Sequence, residues 1–112
     1  MTYVLHIETS GEICSVALSN EKVLIHSLES EEKQAHAAIL TKMIQEVLQI
    51  SNITIKDLVA IAVSKGPGSY TGLRIGVSTA KGICYAQNIP LIAINTLESI
   101  AKGMPGRWIV RL

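Results

Sequence analysis

Aromatic residues are scarce in this sequence: it has no phenylalanine, one tryptophan and three tyrosines, which is 4% of 112 residues. Proteins that bind single-stranded nucleic acids stack bases on aromatic side chains, so this composition argues against such a platform. The formal net charge is only +1, from 10 Lys+Arg against 9 Asp+Glu. Because nucleic acids and anionic membranes attract clustered positive charge, we expect no direct nucleic-acid binding and no membrane binding.

Cysteine is also scarce, since Cys14 and Cys84 are the two in the sequence. They form no CxxC pair and have no histidine at metal-ligand spacing, so we interpret them as small buried residues in a reducing compartment. The N-terminus lacks a basic stretch followed by an apolar run and a small-residue cleavage site. Apolar runs such as residues 58–63 are far shorter than the roughly 20 residues of a membrane span. These absences predict a cytoplasmic protein.

Apolar residues, in contrast, are abundant at 48%, and charged residues make up 17%. Disordered chains combine low hydrophobicity with high net charge, so this chain is expected to fold. Its length suits one domain, which buries roughly two-thirds of the unfolded surface. We assign residues 1–102 to this domain. Residues 103–112 are broken by glycine and proline and form a tail, which either opens a second domain or results from truncation.

The first thirty residues predict three short strands, over residues 3–9, 14–19 and 22–29. In the middle segment Cys14, Val16 and Leu18 share one face, as the two-residue period of a strand requires. Turns at Ser10-Gly11 and Asn20-Glu21 separate the segments. Short strands joined by tight turns predict an antiparallel meander.

Beyond residue 30 the apolar period becomes helical. Apolar residues from Leu40 to Leu48 follow i, i+3, i+4, i+7, i+8 spacing, which predicts an amphipathic helix. Two later apolar runs lack polar alternation, which suits parallel strands buried on both faces. The predicted elements are a helix over 33–50, a connector over 51–57, a strand over 58–64, a helix over 71–87, a strand over 90–94 and a helix over 96–102 with Thr96 as its N-cap.

The predicted order of elements is therefore βββ-α-β-α-β-α. A three-strand antiparallel meander extended by helix-connected parallel strands is an α/β arrangement, the ribonuclease H-like half-fold. Actin, Hsp70 and sugar kinases contain this half-fold twice per chain. Such a fold analogy does not by itself specify chemistry.

The most informative segment is SKGPGSYTGLRIGVSTAKG, residues 64–82, which leaves a strand and enters a helix. Its glycines permit positive φ or close backbone approach, and N–H groups at a helix N-terminus can hold an anion. The residues of this phosphate-loop-like turn are Gly66, Pro67, Gly68, Ser69, Thr71 and Gly72. The segment has neither the Gly-Lys-Ser/Thr of a Walker A loop nor the dinucleotide fingerprint. A tight turn whose glycines serve packing is the alternative.

The helix after this turn carries Gly72, Gly76 and Ala80 on one face, at i, i+4 and i+8. An interior glycine costs a helix about 1 kcal/mol relative to alanine, so something should offset that cost. Close approach by another part of a protein would do so. The sheet beneath the helix and the helix of a partner are the two possibilities.

At this segment the sequence resembles the TsaB (YeaZ) family. GPGSYTGLRIGVSTAKG is similar to the signature of that family, HIETSGEICSVAL to its first hairpin, QAHAAIL to the start of its first helix, and NIPLIAINTLESIA to its next strand and helix. The matches occur in order and cover nearly all of residues 3–101. The resemblance implies the actin-like superfamily and the N-terminal half of a family member, of a type formerly labelled glycoprotease-like.

The resemblance also implies a function. Family members are non-catalytic scaffold subunits in making threonylcarbamoyladenosine beside the anticodon of tRNA. The implied partners are a TsaD-like catalytic subunit and a TsaE-like ATPase, and a homodimer is expected. TsaD has two metal-binding histidines where this sequence has Thr96 and Ile100, and isoleucine has no donor atom. We therefore expect no catalytic residue, no metal and no cofactor. His36 has a family counterpart but no assigned role.

The family likeness bears on nucleotide binding as well. A full family member is about twice this length, and its second half supplies the other wall of the cleft in which relatives bind nucleotide. In relatives the first hairpin approaches phosphate, which makes Glu8, Thr9 and Ser10 a vestigial nucleotide-side hairpin. Glu8 could orient a metal-bound water, or it could simply be a charged residue at a strand end.

In the family, the first two helices bind both TsaD and a second copy. The candidate interface residues are Leu40, Met43, Ile44, Val47, Leu73, Arg74, Gly76 and Val77. One apolar stripe must face the sheet, and the remainder would be an exposed patch of the kind that marks interfaces. The alternative is that all of these residues are core, because the sequence does not tell which stripe faces outward.

Three other functions compete with the scaffold. The first is a half-domain that binds a nucleotide. The second is a ribonuclease H-like nuclease, whose chemistry needs several carboxylates on two metals. Glu8 and Glu46 are candidates, but Ser64 and Lys65 occupy the strand end where an acid is expected. The third is a glycoprotease-like enzyme, for which no Ser/His/Asp or Cys/His set is recognisable.

Overall fold

A five-stranded sheet with two helices makes up the computed structural model, which describes residues 2–11, 14–21, 23–30, 37–67 and 70–95. Its elements are β1 (Tyr3–Glu8), β2 (Ser15–Asn20), β3 (Val23–Glu29), α1 (Ala37–Ile50), β4 (Leu58–Gly66), α2 (Tyr70–Gln87) and β5 (Leu91–Asn95). The strand order is β3-β2-β1-β4-β5. The first three strands pair antiparallel, and β4 lies parallel to both β1 and β5. This arrangement confirms the predicted half-fold.

The predicted elements agree with the observed ones to within about two residues at the ends that the structure describes. Residues 33–36 of the first predicted helix, the predicted helix over 96–102 and the tail lie outside the described residues, as do His36, Thr96 and Ile100. The predicted connector contains a short 3-10 helix, Ile55–Asp57, in which Asp57 Oδ2 accepts the Thr54 N–H at 2.8 Å. A turn of only three residues leaves no periodic signal in the sequence. Of the helices that are described, none has the length and hydropathy needed to cross a membrane.

The main core lies between the sheet and the two helices. α1 packs on β2 and β3, and α2 packs chiefly on β4. The buried side chains of α1 are Leu40, Met43, Ile44, Val47 and Leu48. All five join one cluster with apolar residues of β1, β2, β4 and α2. The prediction that Leu40, Met43, Ile44 and Val47 form a partner interface is therefore corrected: these side chains are the stripe that faces the sheet.

The second face of the sheet carries smaller residues. Val4, Ala60 and Ala62 form a separate apolar cluster there. Beside Val4 along β1, His6 is 2% exposed, and its Nε2 shares a 2.8 Å hydrogen bond with Ser19 Oγ on β2. Burial disfavours the charged imidazolium and lowers the pKa of His6 to about 4. His6 is therefore a neutral core residue at physiological pH.

Candidate functional site

The end of β1 and the start of α2 meet at one edge of the sheet. β1 and β4 are parallel, so their C-terminal ends lie together, and α2 begins soon after β4 ends. Thr9, which follows β1, is fully buried, and its Oγ1 donates a hydrogen bond of 2.6 Å to the carbonyl oxygen of Gly72. Thr9 thus joins the segment after β1 to the first turn of α2.

Gly76 lies one turn further along the same face of α2. A Cβ at this position would overlap Thr9 Oγ1 and would lie 3.3 Å from Thr9 Cβ and Cγ2. The absence of a side chain therefore allows α2 to approach the end of β1. Of the two possibilities for the glycine face, the approach comes from within the chain. The prediction that Gly76 is a partner contact is corrected accordingly.

The remaining residues of the glycine-rich turn have different environments. Gly66 is buried at the end of β4 with φ 111°, a conformation that side-chain-bearing residues rarely adopt. Pro67 is exposed, and the Gly66–Pro67 peptide bond is cis. Thr71 is exposed in the first turn of α2. Gly68 and Ser69 lie outside the described residues. Gly66 therefore serves the backbone geometry of the turn.

The polar side chains of the hairpin bind one another. The backbone N–H of Ser10 donates to Glu8 Oε1 at 3.2 Å, and the Ser10 hydroxyl donates to the same oxygen. Glu46 lies on the exposed face of α1. Within the described ranges, no three His, Cys, Asp or Glu side chains gather where they could hold a metal ion. The described carboxylates therefore do not assemble the set that was considered for a nuclease around Glu8 and Glu46.

Both cysteines are buried free thiols, as predicted. Burial raises the pKa of Cys14, and the negative charge of Glu8 raises it further. Burial also raises the pKa of Cys84, whose Sγ donates to the Pro90 carbonyl oxygen at 3.5 Å. A raised pKa lowers the thiolate fraction, so neither thiol is activated as a nucleophile.

Three of the predicted interface residues remain at the surface of α2. Leu73 and Val77 are half-buried, and Arg74 is exposed. Val77 also packs against the main core. The sequence missed the contact of Thr9 with Gly72 and Gly76. Its one signal was the spacing of the glycines, which indicates a close approach but does not identify the residue that approaches.

Comparison with known proteins identifies the family. A family model described as TsaD, tRNA N6-adenosine threonylcarbamoyltransferase, matches residues 22–106. A protein of Buchnera aphidicola subsp. Schizaphis graminum, named tRNA threonylcarbamoyladenosine biosynthesis protein TsaB, is 41% identical over 99 residues, which are 88% of this chain and 47% of that protein. The Escherichia coli K12 protein of the same name is 36% identical over 100 residues, 89% of this chain and 43% of its own length. The chain belongs to the TsaB (YeaZ) branch of this family.

A solved TsaB-type structure agrees with this assignment. YeaZ from Pseudomonas aeruginosa matches the chain with a TM-score of 0.84 and 32% identity, over 91% of this chain and 47% of that one. The resemblance predicted from the glycine-rich segment is thus confirmed, and so is the actin-like, ribonuclease H-like fold. The chain spans about half the length of the TsaB relatives it matches.

Proposed function

We propose that this chain is a non-catalytic partner subunit in the formation of threonylcarbamoyladenosine on tRNA. It acts by binding a TsaD-like catalytic subunit in the cytoplasm, and a TsaE-like ATPase and a second copy of the chain are its further partners. The similarity to proteins named for threonylcarbamoyladenosine biosynthesis supports the pathway. The family model, described as a threonylcarbamoyltransferase, supports the link to TsaD.

One observation carries the non-catalytic part of the proposal: the polar side chains of Glu8, Thr9 and Ser10 at the end of β1 make hydrogen bonds within the chain. The Thr9 hydroxyl is bonded to Gly72, and the Glu8 carboxylate is bonded to Ser10. An active phosphate or metal site needs such groups directed at its ligand. The family resemblance adds that Thr96 and Ile100 stand where TsaD has its two metal-binding histidines.

The partner surface is proposed on the outward sides of the two helices. On α2 it comprises half-buried Leu73 and Val77 beside exposed Arg74. Arginine is enriched among the residues that contribute most to binding energy at interfaces. On α1 the large apolar residues between Leu40 and Leu48 face the sheet, so the outward residues of that stretch are small or polar, whereas Ile50 at the end of the helix is exposed. Exposed Ala38 and Thr41 leave room there for close approach by a partner helix.

A reconstituted modification assay tests this function. The TsaD-like subunit and the other components act on an unmodified tRNA transcript, with and without this chain, and threonylcarbamoyladenosine is quantified by nucleoside mass spectrometry. The chain alone should give no product, and its addition should raise product formation. Glu8→Gln should keep that stimulation, and Leu73→Glu should lose it. Full binding of Glu8→Gln to the TsaD-like subunit with no product would contradict a non-catalytic role.

A further inference from the structure

A second surface feature lies far from the end of β1 and from the glycine-rich turn. The last turns of α2 and the start of β5 border an open groove of about 690 Å³. Its lining residues are Lys81, Gly82, Cys84, Tyr85, Asn88, Ile89 and Leu91. At a rise of about 1.5 Å per residue, Tyr85 lies roughly 18 Å along α2 from Leu73. Because β4 and β5 are parallel, the start of β5 is at the opposite end of the sheet from the glycine-rich turn.

The groove has an apolar floor and an aromatic rim. Cys84 is buried, and Ile89 and Leu91 are partly buried against the main core. Tyr85 is 91% exposed, the highest value among the large apolar residues in the described part of the chain. Tyrosine is enriched at protein interfaces because its ring supplies contact area at a small entropic cost. The groove is shallow and open to solvent, which suits a surface contact with a protein segment better than enclosure of a small molecule.

The charge on the side chains that line the groove is positive and comes from Lys81. None of its described lining residues is acidic, and Lys81 on its rim is exposed. The whole of α2, Tyr70–Gln87, contains no aspartate or glutamate. The free carbonyls at the C-terminus of a helix carry partial negative charge, but that effect is confined to the last turn. A bound carboxylate would therefore be favoured near Lys81 and disfavoured near Asn88.

We propose that this groove binds a protein segment that presents an acidic side chain next to an apolar one. The carboxylate lies at Lys81, the apolar side chain covers Ile89 and Leu91, and Tyr85 packs against the segment. Charge complementarity favours an acidic segment. The single lysine argues against RNA, whose affinity rests on several neutralised phosphates. This site does not depend on the proposed binding of a TsaD-like subunit, which uses other residues of α2.

Nuclear magnetic resonance on the ¹⁵N-labelled chain tests the proposal directly. The probe is a short peptide that alternates pairs of glutamate and leucine. It should shift the amide resonances of residues 81–91, and added salt should weaken the effect. Two control peptides, with lysine in place of glutamate and with serine in place of leucine, should leave these resonances unmoved. The proposal is overturned if the acidic peptide shifts nothing in this segment, or if oligoadenylate RNA binds there more tightly than the peptide.

Two variants of the chain provide a second test. Lys81→Glu reverses the rim charge and should weaken binding of the acidic peptide by about tenfold. Gly82→Leu fills the groove, and no atom lies within 4 Å of the Cβ it would add, so the fold should tolerate it. Lys42→Glu on the exposed face of α1 is the matched control and should bind normally. Unchanged affinity in both Lys81→Glu and Gly82→Leu would refute the proposed site.

Discussion

The Thr9 hydroxyl donates to the carbonyl oxygen of Gly72 at 2.6 Å, and this bond joins the end of β1 to the first turn of α2. The same side chain fills the space that a Cβ at Gly76 would need. One buried threonine thus accounts for Gly76, a glycine that is otherwise unfavourable inside a helix. At Gly76, the segment most typical of the family therefore allows two elements of one chain to pack closely.

This packing predicts opposite effects for one substitution at two places in α2. Gly76→Ala should destabilise the chain by about 1–3 kcal/mol, because the added methyl group overlaps Thr9. Gly82→Ala should stabilise it by about 0.5–1 kcal/mol, because alanine favours the helix and nothing lies near the new Cβ. Equilibrium urea unfolding measures both values. If both substitutions stabilise the chain, the role assigned to Gly76 is wrong.

The role of Thr9 predicts coupling between two positions. Thr9→Ala alone should cost about 1–3 kcal/mol, because it removes a buried hydrogen bond and leaves a small cavity. The same change removes Oγ1 and Cγ2 from the space needed at Gly76. The double variant Thr9→Ala, Gly76→Ala should therefore be more stable than the sum of the single effects predicts. A double-mutant cycle should give a coupling energy of about 0.5–3 kcal/mol, whereas simple additivity would show that Thr9 is not the constraint.

The buried histidine predicts a loss of stability in mild acid. Its pKa is about 4 in the folded chain and 6.5 as the reference value, so the unfolded state binds more protons between these limits. The contribution of neutral His6 to the free energy of unfolding is fully present above about pH 6.5. It decreases as the pH falls toward 4. The free energy of unfolding should drop by roughly 2 kcal/mol between about pH 7 and about pH 5.

Urea unfolding at both pH values measures this drop. His6→Gln should lose most of the pH dependence, although its stability at neutral pH changes as well. His26→Gln is the matched control, because His26 is exposed, and it should keep the dependence. An unchanged slope in His6→Gln would assign the pH dependence to another group.

The backbone at the end of β4 predicts a further contrast between two glycines. Gly66 has a φ of 111°, so Gly66→Ala should cost about 1–3 kcal/mol in backbone strain. Gly11 is exposed, and nothing lies within 4 Å of a Cβ added there, so Gly11→Ala should be nearly neutral. Thermal unfolding followed by circular dichroism compares the two. Equal melting temperatures would contradict the assigned strain.

The fold could be predicted from the sequence because the hydrophobic patterns of its strands and of its first helix are long and clearly different. Strand alternation before residue 30 and the helical spacing from Leu40 to Leu48 each extend over several residues. The outward stripe of α1 could not be predicted, because an apolar stripe has the same spacing whether it meets a sheet or a partner. Met43 is an example: it is 7% exposed, so a charge there would unfold the chain rather than test a surface.

The candidate site was predicted less completely for a related reason. Glycine spacing indicates that something approaches a helix, but Thr9 is 63 residues from Gly72, and local patterns carry no information over that separation. Tyr85 was missed because a single exposed aromatic residue leaves no periodic signal. Such contacts depend on which strand ends the topology brings together.

Light scattering on a sizing column, with the chain mixed with a TsaD-like catalytic subunit, tests the central claim most directly. The proposed scaffold role predicts a one-to-one complex with the unaltered chain and with Lys56→Glu, a charge reversal at an exposed residue outside α1 and α2. It also predicts that Leu73→Glu, with an unchanged circular dichroism spectrum, does not form the complex. Separate elution of the folded, unaltered chain and the TsaD-like subunit would contradict the claim that this chain acts by binding its catalytic partner.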